Sequence, residues 1–135
     1  MSNTAMQRYQ ALLIVSDVAE TAEFYRSKLG FEFVDAEQAA AQLEGDFAML
    51  RRDEVVIMFK AVKNGKPRPN WTVHAFTPHD AFIPVRDLEP LCEELKSKGV
   101  KIVKDVHDSE WGTREFYFED NNGYRFCCGH SIAPK

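Results

Sequence analysis

The stretch FEDNNGYRFCCGH, at residues 118–130, ends with two adjacent cysteines and a histidine that could bind a metal ion. Thiolate and imidazole groups are the usual ligands of zinc sites. Cys127 and Cys128 are neighbours on a predicted strand, however, and neighbouring side chains of a strand point to opposite faces of its sheet. Both sulfurs therefore cannot reach one ion in regular geometry. His130 is interpreted as a solvated or locally hydrogen-bonded side chain.

Two tryptophans are candidates for ligand binding. Trp111 lies in the polar run HDSEWGTRE, where its ring has no helical or strand pattern to join, and it is predicted to contact a ligand. Trp71 either anchors a loop or contacts a ligand. The carboxylates of Asp80, Asp108 and Glu110 would favour a cationic ligand, although exposed carboxylates are commonly just solvated.

Composition excludes several classes of protein. The chain has 135 residues, enough for one domain, and its net charge is −4 without a basic run, which argues against a nucleic-acid partner. Its beginning does not resemble a signal peptide, and no apolar run is long enough to span a membrane. We expect a cytoplasmic protein without membrane contact. Three cysteines, an odd number, agree with a reducing compartment and predict no structural disulfide.

The chain contains an internal repeat. LIVSDVAETAEFYRSKLGFEFV and FIPVRDLEPLCEELKSKGVKIV share one pattern, with Asp17 matching Asp87 at an offset of 87 − 17 = 70. Each aspartate is predicted to be the N-cap of an amphipathic helix, and Gly30 and Gly99 are predicted to end these helices. Cys92 lies on the apolar stripe of the second helix and is predicted to be a core residue.

Strand patterns surround each helix, so each half is predicted to be a βαβββ module. The modules cover residues 8–60 and 80–130, and a linker covers 61–79. RRDE and DNNG are predicted to be the turns before the last strand of each module, while His74 and His107 are placed in loops. The fold class is therefore α+β, in a single domain over residues 1–135.

SDVAETAEFYRSKLGFEF and DNNGYRFCCG resemble segments of the glyoxalase, bleomycin resistance and extradiol dioxygenase superfamily, also called the vicinal oxygen chelate superfamily. GDFAMLRRDEVVIMF and EWGTREFYFEDNNGYRF are most similar to bleomycin resistance proteins. The resemblance implies two modules whose curved mixed sheets surround a cavity, with the helices outside, and it implies a homodimer. It also implies that Trp111, in a matching Trp-Gly motif, stacks on a planar ligand.

The resemblance places metal ligands on the first and last strand of each module. Counting back from the two aspartates gives Gln10 and Asp80, counting on from the glycine of DNNG gives Cys127, and the offset of 70 from Cys127 gives Ile57. Ile57 cannot bind a metal, Gln10 is a poor ligand, and a carboxylate with a thiolate mixes a hard and a soft donor. We therefore predict neither a bound metal nor another cofactor.

The same positions would then line a pocket for a small molecule. Strand alternation places Ile57 and Phe59 on one face of the first module, and Asp80 and Phe82 on one face of the second. For Phe59 and Phe82, and equally for Phe47, lining the cavity and ordinary packing both remain open.

Two classes of function follow. The first is a non-enzymatic protein that sequesters an aromatic, cationic small molecule, as bleomycin resistance proteins do. The second is a glyoxalase-type lyase or a dioxygenase-like enzyme with displaced ligands, or a metal-free isomerase with Asp80 as general base or Cys127 as nucleophile. A vestigial pocket in a protein with a role in assembly is a third reading.

Overall fold

The computed structural model describes residues 2–132, and the chain divides into two compact units between Lys66 and Pro67. Each unit contains one four-stranded sheet. None of the helices among residues 2–132 combines the length and the apolar composition of a membrane span.

The first unit is a βαβββ module with one additional short helix. Its sheet has the strand order β1-β4-β3-β2, with β1 parallel to β4 and the other neighbours antiparallel. Its elements are β1 (Ala11–Ile14), α1 (Val18–Leu29), β2 (Glu32–Phe33), a 3-10 turn (Ala36–Gln38), α2 (Ala39–Glu44), β3 (Phe47–Arg52) and β4 (Val55–Lys60).

The second unit repeats this topology. Its elements are α3 (Asn70–Val73), β5 (Ala81–Pro84), α4 (Leu88–Ser97), β6 (Lys101–Asp108), β7 (Thr113–Glu119) and β8 (Arg125–Ser131). The strand order β5-β8-β7-β6 is that of the first sheet, and β5 is again parallel to β8. The predicted pair of βαβββ modules in an α+β fold is therefore confirmed, and neither four-stranded sheet closes into a barrel.

Helix α1 begins and ends as its sequence predicts. The Asp17 side chain accepts the backbone N–H of Glu20 at 2.9 Å, which satisfies one of the free donors of the first turn. Gly30 ends the helix with φ at 74°, a conformation that glycine adopts without the steric cost of a Cβ atom. The helix buries Tyr25, whose ring lies 4.6 Å from the ring of Phe59 on β4.

The prediction that Asp87 is the N-cap residue of α4 is confirmed, but its side chain does not cap the helix. Asp87 occupies the N-cap position but makes no side-chain cap hydrogen bond. Three residues later, where α1 has the N–H of Glu20, α4 has Pro90, and proline has no backbone N–H to donate. The prediction that Cys92 belongs to the core is confirmed, since its side chain is buried beneath α4.

The prediction that Ile57 lines a pocket is wrong, and of the two alternatives left open for Phe59 the structure has ordinary packing. Phe59 contacts Tyr25 of α1, so Phe59 and Ile57, which share a face by alternation, point toward the helix. Neither side chain lines a cavity on the opposite face. Ile57 is 3% exposed and belongs to the core of the first unit.

A difference of one residue between the modules explains this error. Leu12 and Phe82 are equivalent at the offset 82 − 12 = 70, and they pair with Met58 and Cys127, respectively. The counterpart of Cys127 is therefore Met58, at an offset of 127 − 58 = 69. A shift of one residue along a strand moves a side chain to the other face of its sheet.

Candidate functional site

A cavity of about 470 Å³ opens in the second unit. It lies on the side of the sheet that α4 does not cover, because Arg114 of β7 reaches Glu89 of α4 at 2.8 Å and its neighbour Glu115 points the other way. The lining includes His107, Asp108, Glu110, Trp111, Glu115 and Tyr117.

Glu115 is a buried carboxylate in this lining, with only 5% of its surface exposed. One oxygen, Oε2, accepts hydrogen bonds from the Thr113 hydroxyl at 2.9 Å and the Cys127 thiol at 3.3 Å. The other oxygen, Oε1, accepts the Tyr117 hydroxyl at 3.3 Å. Burial of a charge is costly unless it is hydrogen-bonded, and these three neutral donors offset that cost without neutralising the charge.

Cys127 is a protonated thiol in this arrangement. Its side chain is fully buried, and burial, together with the hydrogen bond that the thiol donates to the Glu115 carboxylate, raises its pKa to about 12. Burial is also the main cause that raises the pKa of Tyr117. Because the thiolate is the reactive form of cysteine, a role for Cys127 as a nucleophile has no support.

His107 lies in β6 and not in a loop as its sequence context predicted. Its Nδ1 lies 2.8 Å from the backbone carbonyl oxygen of Asp105, and its Nε2 lies 3.6 Å from Oε1 of Glu115. The imidazole is nearly parallel to the ring of Tyr117, with centroids 6.3 Å apart. Irregular pairing between β6 and β7 brings His107 opposite Glu115.

Trp111 lies in the turn between β6 and β7, with 79% of its surface exposed. Ser109 shapes this turn, since its Oγ accepts the backbone N–H groups of Trp111 at 3.1 Å and Thr113 at 3.2 Å. Gly112 follows with φ at 83°, which allows the chain to reverse into β7. An exposed aromatic ring is thus held beside the cavity by a hydrogen-bonded turn.

Of the nine residues predicted to form a site, Trp111 is the one that lines this cavity. Phe82 shares a sheet face with Cys127 and is 38% exposed, whereas Phe47 is half-buried on the face of β3 opposite α1. Gln10 is exposed just before β1. Ile57 and Phe59 lie in the core.

Trp71 and Asp80 make contacts that stabilise the second unit. The Trp71 indole donates to the Gly123 carbonyl at 2.7 Å, and the Arg125 guanidinium lies 4.0 Å above its ring. These contacts support the loop-anchor reading of Trp71. Asp80 accepts the backbone N–H of Asn70 at 2.8 Å and that of Arg125 at 2.9 Å. A role for Asp80 in ligand binding stays a prediction.

Sequence reasoning missed Glu115, Tyr117 and His107 as a group. One signal was present: in REFYFED, Glu115 and Tyr117 alternate with phenylalanines, so both occupy the face opposite the apolar one. That face also carries Cys127 through its pairing with Tyr117. The part played by His107 depends on the β6 irregularity, which the sequence does not indicate.

The residues at the implied metal positions do not fit a metal site. With the corrected register, the set is Gln10, Met58, Asp80 and Cys127. Met58 offers a weak thioether, Cys127 keeps its proton, and Asp80 is bound to backbone N–H groups. Across residues 2–132, no group of three or more His, Cys, Asp or Glu side chains is arranged to hold a metal ion.

Known structures resemble the chain over nearly its whole length. A glyoxalase/bleomycin resistance protein/dioxygenase from Nocardioides has a TM-score of 0.69 at 15% identity, covering 99% of this chain and 89% of that one. TioX from Micromonospora sp. ML1 has a TM-score of 0.69 at 18% identity, and the match covers 93% of this chain and 99% of that one. A virulence protein from Salmonella typhimurium has a TM-score of 0.63 at 20% identity, and the match covers 96% of this chain and 100% of that one. At these identities the likeness concerns the fold.

The family of the chain is identified from its sequence. No curated protein matches the chain. The model of the glyoxalase/bleomycin resistance protein/dioxygenase superfamily matches residues 7–128, a stretch that includes the first βαβββ module and all of the second except the last three residues of β8. The chain therefore belongs to the glyoxalase/bleomycin resistance protein/dioxygenase superfamily.

Proposed function

We propose that this protein binds a planar, cationic aromatic small molecule in the cavity of its second unit and does not transform it. The observation that carries the proposal is Trp111, an exposed ring in the lining of a cavity of about 470 Å³. A cavity of that size suits a drug-sized ligand. A planar ring stacked on an indole gains about 0.5 to 1.5 kcal/mol beyond its buried area.

The charges of the lining support a cationic ligand. Asp108, Glu110 and Glu115 provide three carboxylates, against the two basic side chains of Lys104 and Arg125, which leaves 3 − 2 = 1 excess negative charge with His107 neutral. Two of these charges are already paired within the protein, Arg125 with Glu119 at 3.0 Å and Asp108 with Arg114 at 2.8 Å. Without this pair of opposite charges, Glu110 and Glu115 against Lys104 leave the same excess, 2 − 1 = 1.

The protonation states in the site support binding over catalysis. Cys127 and Tyr117 are nucleophiles or bases only when deprotonated, and burial raises the pKa of both. The superfamily also includes bleomycin resistance proteins by name, so a binding function agrees with the family.

The two tryptophans of the chain allow a direct test. In Trp71→Phe, all tryptophan fluorescence comes from Trp111, and we expect saturable quenching on titration with bleomycin or with proflavine, a planar aromatic cation. In Trp111→Phe, the remaining fluorescence comes from Trp71, which lies outside the lining, and we expect little quenching.

Affinity is measured separately by calorimetry on Trp111→Ala. Loss of stacking and of the cation–π contact should weaken proflavine binding about tenfold or more. Circular dichroism checks that each variant is folded. If neither compound binds the native protein, or if Trp111→Ala binds as tightly as the native protein, the proposal is overturned and the enzymatic alternative gains support.

A further inference from the structure

The neighbours of His107 determine the tautomer of its neutral imidazole. A backbone carbonyl oxygen can only accept a hydrogen bond, so the contact of 2.8 Å with the Asp105 carbonyl assigns a proton to Nδ1 of His107. In the neutral imidazole, Nε2 then carries a lone pair. This lone pair lies 3.6 Å from Oε1 of Glu115.

Two hydrogen-bond acceptors therefore face each other without a proton between them. Their separation exceeds the usual upper distance of about 3.2 Å for a hydrogen bond. Both residues line the cavity, and the side chain of Glu115 is almost completely buried, whereas that of His107 is 23% exposed. A group that carries two N–H donors and a positive charge could donate to Nε2 and to the second lone pair of Oε1, whose first lone pair accepts the Tyr117 hydroxyl.

We propose that His107 Nε2 and Glu115 Oε1 form a recognition site for a cation with N–H groups, such as an amidinium, a guanidinium or a primary ammonium. This inference rests on the proposed function and specifies which cations the cavity accepts. A quaternary ammonium or an N-alkylated ring cation has the charge but no N–H to donate, and it gains no hydrogen bond here.

The site should also respond to pH. A protonated His107 carries a hydrogen on Nε2, which is directed at Glu115, and the resulting ion pair occupies both acceptors. An N–H cation then has to break this pair in order to bind. Affinity for such a cation should therefore fall when His107 becomes protonated.

Other ionisable groups surround the pair. The Asp105 carboxylate is directed away, since it binds Lys96 at 2.7 Å. Cys127 and Tyr117, with pKa values raised by burial, stay protonated between pH 5 and pH 8. The remaining charged or titratable groups near the pair are Lys104, Asp108, Glu110 and Arg125 in the cavity lining, and His79, whose ring lies 5.7 Å from that of Tyr117.

Three probes with similar flat bicyclic rings separate these contributions: naphthalene-2-carboxamidine, the neutral naphthalene-2-carboxamide, and the N-methylquinolinium cation, which has no N–H. Calorimetry is performed at about pH 8 and at about pH 5, because histidine side chains change charge within this range. At the higher pH we expect the amidine to bind about tenfold or more tightly than the other two. At the lower pH this advantage should largely disappear.

Variants assign the effect to the two residues. His107→Phe keeps a ring against Tyr117 but removes Nε2, and it should abolish the pH dependence and most of the preference for the amidine. Glu115→Gln removes the charge and should weaken amidine binding about tenfold to hundredfold. Glu93→Gln is the matched control, because this carboxylate lies on α4, on the other side of the sheet, and is 74% exposed. It should bind all three probes as the native protein does.

Each outcome decides between the two proposals. If all three probes bind equally and quench Trp111, the N–H site is wrong, the preference for a cation is wrong too, and binding of a planar aromatic ring stands. If His107→Phe retains both the preference and the pH dependence, the site is likewise wrong. If no probe binds, the proposed function fails, and the N–H site fails with it. Circular dichroism shows whether Glu115→Gln folds, and His107→Phe decides the matter if it does not.

Discussion

The carboxylate of Asp80 accepts the backbone N–H of Arg125 at 2.9 Å, and this bond joins the segment before β5 to the start of β8. The second oxygen of the same carboxylate accepts the backbone N–H of Asn70 at the start of α3. Arg125 in turn lies over the ring of Trp71. Asp80 thus connects three segments of the second unit at a position where the superfamily resemblance implied a ligand.

Asp80→Asn should therefore destabilise the protein. An asparagine side chain has one acceptor oxygen, so one of the two hydrogen bonds is lost and an amide N–H faces a backbone N–H. We expect the free energy of unfolding to fall by about 1 to 3 kcal/mol, measured by urea denaturation. Asp87→Asn is the control, since Asp87 makes no side-chain cap bond, and it should change stability by less than about 0.5 kcal/mol. Equal effects of the two changes would contradict the role assigned to Asp80.

The two repeated helices should differ in their response to loss of the N-terminal aspartate. Asp17→Ala removes the hydrogen bond to the N–H of Glu20 and should cost about 1 kcal/mol of stability. Asp87→Ala removes no such bond, because Pro90 has no N–H, and should cost a few tenths of a kcal/mol. Thermal or urea denaturation measures both. A cost at Asp87 as large as that at Asp17 would show that the cap forms in solution.

The topology of both modules followed from the sequence because its signals are local. Capping residues, helical spacing of apolar side chains and turn residues each act within a few positions, and they occur twice at one offset. The sequence did not predict which side chains of β4 point to which face of the sheet. The modules differ in length by one residue before β4, so the counterpart of Cys127 is Met58 and not Ile57. The contact between Phe59 and Tyr25 of α1 shows that Ile57, which shares the face of Phe59, is the one that points toward α1.

The candidate site was predictable only in part. Trp111 was identified because a large apolar ring in a polar run has no place in a core. Glu115 was not identified, because a buried carboxylate requires hydrogen-bond donors that its own position in the sequence does not reveal. Here the donors are Thr113, Tyr117 and the thiol of Cys127 on another strand. His107 was missed because the sequence placed it in a loop, whereas β6 extends to Asp108 and its irregular pairing with β7 brings His107 opposite Glu115.

Removal of metal ions should leave the protein unchanged. Met58 and the protonated Cys127 replace two of the ligands that the superfamily resemblance implies, so a stable ion has no adequate donor set. Incubation with EDTA should therefore shift neither the melting temperature nor proflavine affinity. Elemental analysis of protein purified without chelator should give well under one zinc, nickel, iron or manganese ion per chain. One tightly bound ion per chain would revive the enzymatic alternative.

Cys127 should make stability depend on alkaline pH. Burial raises the pKa of its thiol from 9.0 to about 12, so between these values the folded state holds a proton that the unfolded state has released. The stabilising contribution is complete below about pH 9 and is lost as the pH rises toward about 12. Cys127→Ser keeps a hydroxyl that can donate to Glu115 but does not titrate in this range. Its free energy of unfolding, measured by urea denaturation from pH 7 to pH 11, should therefore fall less steeply above pH 9 than that of the native protein. Cys92 and Tyr117, whose pKa values are also raised, titrate in both proteins and cancel in the comparison. Parallel curves for the native protein and the variant would show that the thiol of Cys127 titrates in the folded state as it does in the unfolded chain.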